Sequence, residues 1–237
     1  MLMLSQRLSI LIYHRVLSGP DPLQPDVPTA SQFARCLVWV KRFFRVLPLS
    51  EALIRLQRGN LPSRTLAITF DDGYADNVEV ALPILKRYRL PATFFVATGF
   101  LNGDLMWNDR VIEAIRRVQQ SKIGLPELGI GPFPCKTVEE KRVALDRMIS
   151  ELKYLPFQER QQAAERLAVN VDKLLPQLMM DEYHVRMLAD QGMEIGAHTV
   201  NHPILSQLDT DTARHEIASS KSHLEALLNR EVRLFAY

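Results

Sequence analysis

The sequence predicts an α/β fold in which helices cover a parallel sheet. Short apolar segments of strand length alternate with segments of helical spacing, and polar residues directly follow several of the apolar segments. The chain has 237 residues, of which 47% are hydrophobic and 24% are charged, as in an average soluble domain. This composition excludes a disordered tail, a collagen-like fibre and a disulfide-rich scaffold.

The first part of the chain contains four predicted strands. A proline-rich loop at 19–28 follows the first strand, and the other connections have apolar residues at helical spacing. The predicted strands are residues 8–13, 43–49, 65–70 and 91–97, and the predicted helices are residues 31–42, 50–59 and 78–89.

The alternation pauses in the middle of the chain and then returns. Residues from about 108 to 180 contain helical patterns around a loop rich in glycine and proline, which predicts an insertion within one strand–helix connection. The later predicted elements are a helix at 183–191, a strand at 193–197, a helix at 210–228 and a strand at 232–237. We expect one domain over 1–237, either a barrel or a doubly wound sheet. Because the chain stops within an apolar strand, we expect C-terminal strands of that domain to be missing.

Charge and cysteine content limit the expected partners and location. The 29 basic and 27 acidic residues leave a net charge of +2, which does not indicate a nucleic-acid partner. Cys36 and Cys135 are too isolated in sequence for a disulfide framework or a C-x-x-C metal motif. The apolar segment at 1–13 contains Arg7 and lacks a cleavage site, and no segment is long enough to span a membrane. A cytoplasmic or peripheral location is expected.

The first candidate site is an acidic pair at the end of the predicted strand 65–70. Asp71 and Asp72 follow that strand, and the carboxyl end of a parallel strand is where ligands bind. Adjacent carboxylates repel each other, so a cation or a shared proton is expected beside them. The alternative is an ordinary turn, since Asp-Asp-Gly is favourable turn chemistry. A phosphoaspartate hydrolase would need a D-x-D spacing, which is absent.

The second candidate site is a pair of histidines after the predicted strand 193–197. His198 and His202 are four residues apart, which places both imidazoles within reach of one metal ion if the segment makes a helical turn. One carboxylate of the acidic pair would complete a set of two histidines and one carboxylate, and the other would be a general base. Non-haem iron oxygenases use the same ligand set, so the ligands alone leave the reaction open.

Both motifs resemble those of the polysaccharide deacetylases, the NodB-homology domain of carbohydrate esterase family four. The resemblance also covers 12–14, 66–100 and 192–237. It implies a distorted (β/α) barrel, here incomplete, and metal-dependent removal of acetyl groups from an acetylated polysaccharide. Zn²⁺ is the implied metal, with Co²⁺ or Ni²⁺ as alternatives.

The resemblance also assigns roles to residues. Asp71 matches the general base, and Asp72, His198 and His202 match the metal ligands. Thr199 matches the hydroxyl residue that steadies the loop between the histidines. Tyr74 is a weaker candidate for stacking on a sugar ring, with packing as its alternative role.

The sequence departs from the family pattern near its end. Ala236 stands where the family has an arginine, and the later motifs that supply a catalytic histidine are absent. Members with a rearranged motif order take that histidine from a Tyr-His pair after the first strand, which His14 matches. The alternatives are an inactive relative that binds metal or carbohydrate and a plain carbohydrate-binding module. An open barrel edge also predicts self-association.

Overall fold

The computed structural model of the chain describes residues 7–169 and 177–237, which form two compact units. The sheet unit runs to Pro20 and includes Asp26–Asp104 and Leu178–Tyr237, whereas the insertion unit comprises Asp21–Pro25 and Leu105–Gln177. These bounds lie close to those predicted for the insertion, although its part at 170–176 and the start of the chain at 1–6 lie outside the described residues. The prediction of one domain stays a prediction.

The described elements follow the predicted alternation. Their order is β1 (Leu8–Tyr13), α1 (Ala30–Phe43), β2 (Arg45–Val46), α2 (Leu49–Gln57), β3 (Thr65–Phe70), α3 (Leu82–Tyr88), β4 (Thr93–Val96), α4 (Trp107–Arg117), β5 (Lys122–Leu125), β6 (Ile130–Pro134), α5 (Val138–Leu152), α6 (Phe157–Ala168), α7 (Glu182–Asp190), β7 (Glu194–Ala197) and α8 (Thr210–Leu228).

The sheet unit is built on a parallel sheet with the strand order β1-β3-β4-β7, and the short β2 pairs with the start of β3. The predicted α/β class is therefore confirmed, and the described strands do not close into a barrel. β1 lies at one end of this order, where Ile10 and Ile12 are 46% and 57% exposed. Self-association through this edge stays a prediction.

The central strands are apolar because helices cover the sheet. Every residue of β3 and β4 is buried. The rings of Tyr13, Phe70 and Phe94 stack across β1, β3 and β4, with centroid distances of 5.4 and 4.8 Å. The stack connects the last residues of β1 and β3 with the second residue of β4. The other large side chains of this core include Phe33, Leu37, Ile68 and Leu85.

The insertion unit differs from its prediction because it contains a β-hairpin. β5 and β6 pair antiparallel where the sequence analysis predicted a loop. The glycines explain both the prediction and its failure, since they favour turns but also permit close strand contact. A Cβ on Gly124 would lie 2.8 Å from the carbonyl oxygen of Ile130, on the opposite strand.

Two predicted elements of the sheet unit also differ. A single π-helical turn, Asn77–Ala81, precedes α3 in place of one continuous helix. Pro83 has no N–H to donate to the turn before it, which interrupts the regular hydrogen-bond ladder. The predicted strand at 232–237 forms only an isolated bridge between Phe235 and Ala197. Among the described helices, none is both long and apolar enough to cross a membrane.

Candidate active site

Three side chains meet at the carboxyl edge of the sheet. Asp72 follows β3, and His198 and His202 follow β7. One carboxylate oxygen of Asp72, Oδ1, lies 3.3 Å from Nε2 of each histidine. One ligand atom from each residue lies within 4.8 Å of the other two. The two motifs are thus brought together as the sequence analysis predicted.

These atoms fit a metal ion better than they fit each other. Asp72 is 6% exposed, and its Oδ1 accepts no hydrogen bond despite the two imidazoles beside it. A buried polar atom without a partner is rare and needs an explanation. Two imidazole nitrogens and one carboxylate oxygen form a donor set that divalent transition metals accept.

The orientation of His198 also suits a ligand. Its Nδ1 lies 3.0 Å from the carbonyl oxygen of Ala236, which can only accept a hydrogen bond. Nδ1 therefore carries a proton, which leaves Nε2, the nitrogen nearer Asp72, as the one that can bind a metal ion. Side-chain patterns in the sequence cannot predict this contact, because Ala236 contributes only its backbone oxygen.

Charges at the site shift the pKa values of the metal-free groups. Burial alone would raise the pKa of Asp72, but the imidazoles of His198, His202 and His14 outweigh it and lower that pKa. Burial alone would lower the pKa of His198, yet the carboxylates of Asp72 and Asp71 outweigh it and raise that pKa. Each group thus favours the charged form of its neighbour.

Asp71 is adjacent to the cluster and is held differently. Its backbone N–H donates to the carbonyl oxygen of Tyr13 at 2.9 Å, which ties it to the end of β1. Its Oδ1 is buried without a hydrogen-bond partner. Burial raises the pKa of Asp71, against the opposing charges of His198 and His14. A half-buried carboxylate with a raised pKa is a stronger proton acceptor than an exposed one.

The loop between the two histidines has a strained backbone. Thr199 and His202 have φ values of 65° and 51°, and Asp72 on the facing loop has a φ of 78°. Residues other than glycine rarely adopt this left-handed region, and such conformations are concentrated at functional sites. The Thr199 hydroxyl accepts the N–H of His202 at 3.0 Å and donates to the carbonyl oxygen of His198. Thr199 thus contacts the loop through both hydrogen bonds, and its loop-supporting role stays a prediction.

Glu216 of α8 supports the same loop and was missed by the sequence analysis. Its Oε2 accepts the backbone N–H groups of Val200 at 2.8 Å and Asn201 at 2.9 Å. Its Oε1 accepts the side-chain amide of Asn201 at 2.7 Å. The sequence contains one signal for this role, since Glu216 lies four and eight residues before the buried Ser220 and Leu224. A carboxylate in a buried helical stripe requires buried donors.

Gly99 contacts the other side of this loop. Its N–H donates to the carbonyl oxygen of Val200 at 2.8 Å, and Thr98 N–H donates to that of Thr199 at 3.2 Å. A Cβ on Gly99 would lie 2.7 Å from the Val200 oxygen, so only glycine permits this approach.

His14 and Tyr74 occupy contrasting environments near the site. His14 is exposed after β1, and its carbonyl oxygen accepts the side-chain amide of Asn77 at 2.9 Å. Its charge lowers the pKa of Asp71 and Asp72, which places it within electrostatic reach of both. Tyr74 is only 3% exposed, and the Arg15 guanidinium lies 4.6 Å from its ring centre. Sugar stacking by Tyr74 stays a prediction, one that this burial does not favour.

Comparison with known proteins agrees with this arrangement. The polysaccharide deacetylase profile matches residues 58–124 and 158–237, which is more than half of the chain. The chain belongs to the polysaccharide deacetylase family. The matched segments of this deacetylase-family chain include both motifs of the site and leave out residues 125–157 in the middle of the insertion unit.

Individual relatives support the same family and fold. A poly-β-1,6-N-acetyl-D-glucosamine N-deacetylase of Staphylococcus aureus (strain MSSA476) is 36% identical over 98 residues, which cover 41% of this chain and 34% of that protein. The chain spans about a third of the length of the curated relatives it matches.

Two solved structures share the fold of this polysaccharide deacetylase family member. The Streptococcus pyogenes deacetylase PplD, in complex with acetate, has a TM-score of 0.63 at 21% identity, covering 98% of this chain and 74% of that one. IcaB from Ammonifex degensii has a TM-score of 0.56 at 18% identity, covering 97% and 73%.

Proposed function

We propose that this chain hydrolyses N-acetyl groups of an acetylated polysaccharide, with O-acetyl groups as the alternative, and that it requires a divalent metal ion, Zn²⁺. The observation that carries the proposal is the position of Asp72 Oδ1, 3.3 Å from both imidazole Nε2 atoms, next in sequence to the half-buried carboxylate of Asp71. Membership of the polysaccharide deacetylase family and the name of the Staphylococcus aureus relative support the substrate class.

Asp72, His198 and His202 would hold the metal ion. A divalent ion bound there would supply Lewis acidity toward water and toward the acetyl carbonyl group. Ala236 and Glu216 hold the loop that carries both histidines in place, through His198 Nδ1 and through the loop amides. Supporting contacts of this kind orient metal ligands.

Asp71 would be the general base. It takes a proton from the water as the water oxygen adds to the acetyl carbon, and its raised pKa suits this role. His14 would be the general acid, because it lies across the strand ends from Asp71 and is exposed enough to meet a large substrate. It donates its proton to the amine nitrogen as the C–N bond breaks, so that one amide and one water give acetate and a free amine.

Acetate release from poly-β-1,6-N-acetylglucosamine oligosaccharides in the presence of Zn²⁺ tests the proposal. We expect the wild-type chain to release acetate and Asp71→Asn to lose activity about 100-fold or more while it still binds Zn²⁺. Asp146→Asn, which changes an exposed carboxylate on α5, is the matched control and should remain active.

Two results would contradict the proposal at different points. A metal-loaded wild-type chain that releases no acetate would identify an inactive relative that only binds metal. Normal activity of Asp71→Asn would remove Asp71 from the role of general base.

A further inference from the structure

The net charge of +2 conceals an uneven distribution of charge. Residues 27–70 contain seven lysine and arginine side chains but only one carboxylate, Glu51. Residues 80–103 contain three more basic side chains and no aspartate or glutamate. These two segments build α1, β2, α2, β3, α3 and β4, so this part of the sheet unit carries an excess of positive charge.

Part of this charge is gathered where helices end and strands begin. Arg45 is the first residue of β2, Arg64 precedes β3, and Arg89 ends α3. Direct contacts bring these segments together, since Arg45 N–H donates to the Arg64 carbonyl oxygen at 2.9 Å. Lys41 Nζ donates to the Tyr88 carbonyl oxygen at 2.9 Å, which joins the end of α1 to the end of α3.

Exposed aromatic side chains lie on α1 beside these basic residues. Trp39 is 60% exposed and Phe43 is 43% exposed, and their rings stack at a centroid distance of 5.5 Å. The guanidinium of Arg42 lies 5.6 Å from the Phe43 ring centre. Residues three and four apart share one face of a helix, so these three side chains form one stripe. We call Trp39, Arg42, Phe43, Arg45, Arg64 and Arg89 the basic–aromatic surface.

Two carboxylates at this end of the sheet, those of Glu51 and Glu194, have partners outside the surface. Glu51 pairs with Arg55 at 2.7 Å on α2. Glu194, at the start of β7, accepts hydrogen bonds from the hydroxyl groups of Ser50 and Thr93. Within the described residues, Arg42, Arg45, Arg64 and Arg89 have no carboxylate within ion-pair distance. Their charge is therefore available to an anionic partner.

We propose that the basic–aromatic surface binds the headgroup layer of an anionic lipid bilayer. Guanidinium groups pair with lipid phosphates, and exposed tryptophan and phenylalanine enter the boundary between headgroups and acyl chains. A polyanion such as a nucleic acid would use the arginines but would not bury Trp39 and Phe43 in an apolar phase. The exposed aromatic pair therefore favours a lipid surface.

The position of the surface is compatible with an accessible active site. The strands β1, β3, β4 and β7 are parallel, and the cluster of Asp72, His198 and His202 follows their carboxyl ends. The basic–aromatic surface lies at the amino ends of β2 and β3 and at the helix ends beside them. A bilayer bound there would contact the sheet unit at the edge opposite the cluster. The inference does not rest on the proposed deacetylase activity.

Co-sedimentation with vesicles tests this inference directly. We expect the chain to bind vesicles that contain phosphatidylglycerol and phosphatidylcholine, and to bind pure phosphatidylcholine vesicles much more weakly. Arg42→Glu with Arg45→Glu should lower binding to the anionic vesicles about tenfold or more. Arg147→Glu, an exposed reversal on α5 of the insertion unit, is the matched control and should bind like wild type.

The aromatic part is tested by fluorescence. The chain has two tryptophans, so the Trp107→Phe variant reports on Trp39 alone. Its emission should shift to shorter wavelength with anionic vesicles but not with heparin, and Trp39→Ser should weaken vesicle binding in the wild-type background. No binding to anionic vesicles, or binding unaffected by Trp39→Ser and abolished by heparin, would overturn the proposal. Unchanged melting temperatures would show that the variants are folded.

Discussion

The Oε2 atom of Glu216 accepts the backbone N–H of Asn201 at 2.9 Å, in the loop between the two histidines of the cluster. The same oxygen accepts the preceding N–H of Val200. A buried carboxylate on α8 therefore holds the backbone of a loop whose histidine spacing defines the site. The strained loop needs such support, because Thr199 and His202 have left-handed backbones.

Replacing Glu216 tests this support. Glu216→Gln keeps the shape of the side chain but removes its negative charge and replaces one carboxylate oxygen with an NH₂ group. The backbone N–H groups of Val200 and Asn201 cannot accept from that group, and the Asn201 side chain can accept only by turning its amide oxygen toward it. We expect Zn²⁺ affinity to fall about tenfold or more, as for other outer partners of metal ligands. Calorimetric titration measures the change. Asp211→Asn, an exposed change on the same helix, should not alter affinity, and an unchanged Glu216→Gln would show that the loop needs no such support.

Gly99 packs closely against the same loop, on the side opposite Glu216. In Gly99→Ala the new methyl group would meet the Val200 carbonyl oxygen at 2.7 Å, so the loop must move. We expect weaker Zn²⁺ binding with little loss of secondary structure, measured by calorimetry and circular dichroism. Gly19→Ala is the control, because its Cβ would meet no atom within 4 Å. Equal Zn²⁺ affinity in both variants would mean that the loop tolerates the displacement.

Much of the fold could be predicted from the sequence because its signals are local. The wholly buried β3 and the helical spacing of α8 have the bounds that the sequence predicted. The meeting of Asp72 with His198 and His202 was also predictable, since polar residues after parallel strands share one edge of the sheet.

The supporting contacts could not be predicted in the same way. Ala236 contributes only a backbone oxygen to His198, which no side-chain pattern reveals. Glu216 is 15 residues from Asn201 along the chain, so their contact depends on how α8 packs. The hairpin of β5 and β6 was predicted as a loop because glycine and proline favour turns as well as close strand pairing. The uneven surface charge was hidden by the net charge.

The amino end of α8 should respond to pH. Asp209 caps this helix, and hydrogen bonds from the Thr212 hydroxyl and from the N–H groups of Thr212 and Asp211 lower its pKa. Because the folded state favours the carboxylate, the cap contributes fully above the ordinary pKa of aspartate and is lost as pH falls through the lowered value. Urea unfolding should show wild type losing its advantage over Asp209→Asn in acid. A difference independent of pH would contradict this account.

His14 should affect turnover without affecting metal binding. His14→Asn removes the group assigned to protonate the leaving amine, whereas the atoms of Asp72, His198 and His202 remain. We expect acetate release to fall about 100-fold or more, with Zn²⁺ affinity unchanged. His215→Asn, an exposed change on α8, should keep normal activity. Full activity of His14→Asn would assign the proton donor to another group.

The most direct test of the account is a calorimetric Zn²⁺ titration of the chelator-stripped chain beside His198→Ala. We predict one Zn²⁺ per chain for the wild type. Affinity should fall at least about 100-fold in the variant, because one of three protein ligands is lost and Asp72 Oδ1 stays buried beside fewer partners. Thermal unfolding of both metal-free chains would confirm that they are folded. No binding by the wild type, or equal binding by a folded His198→Ala, would contradict a metal site built on these residues.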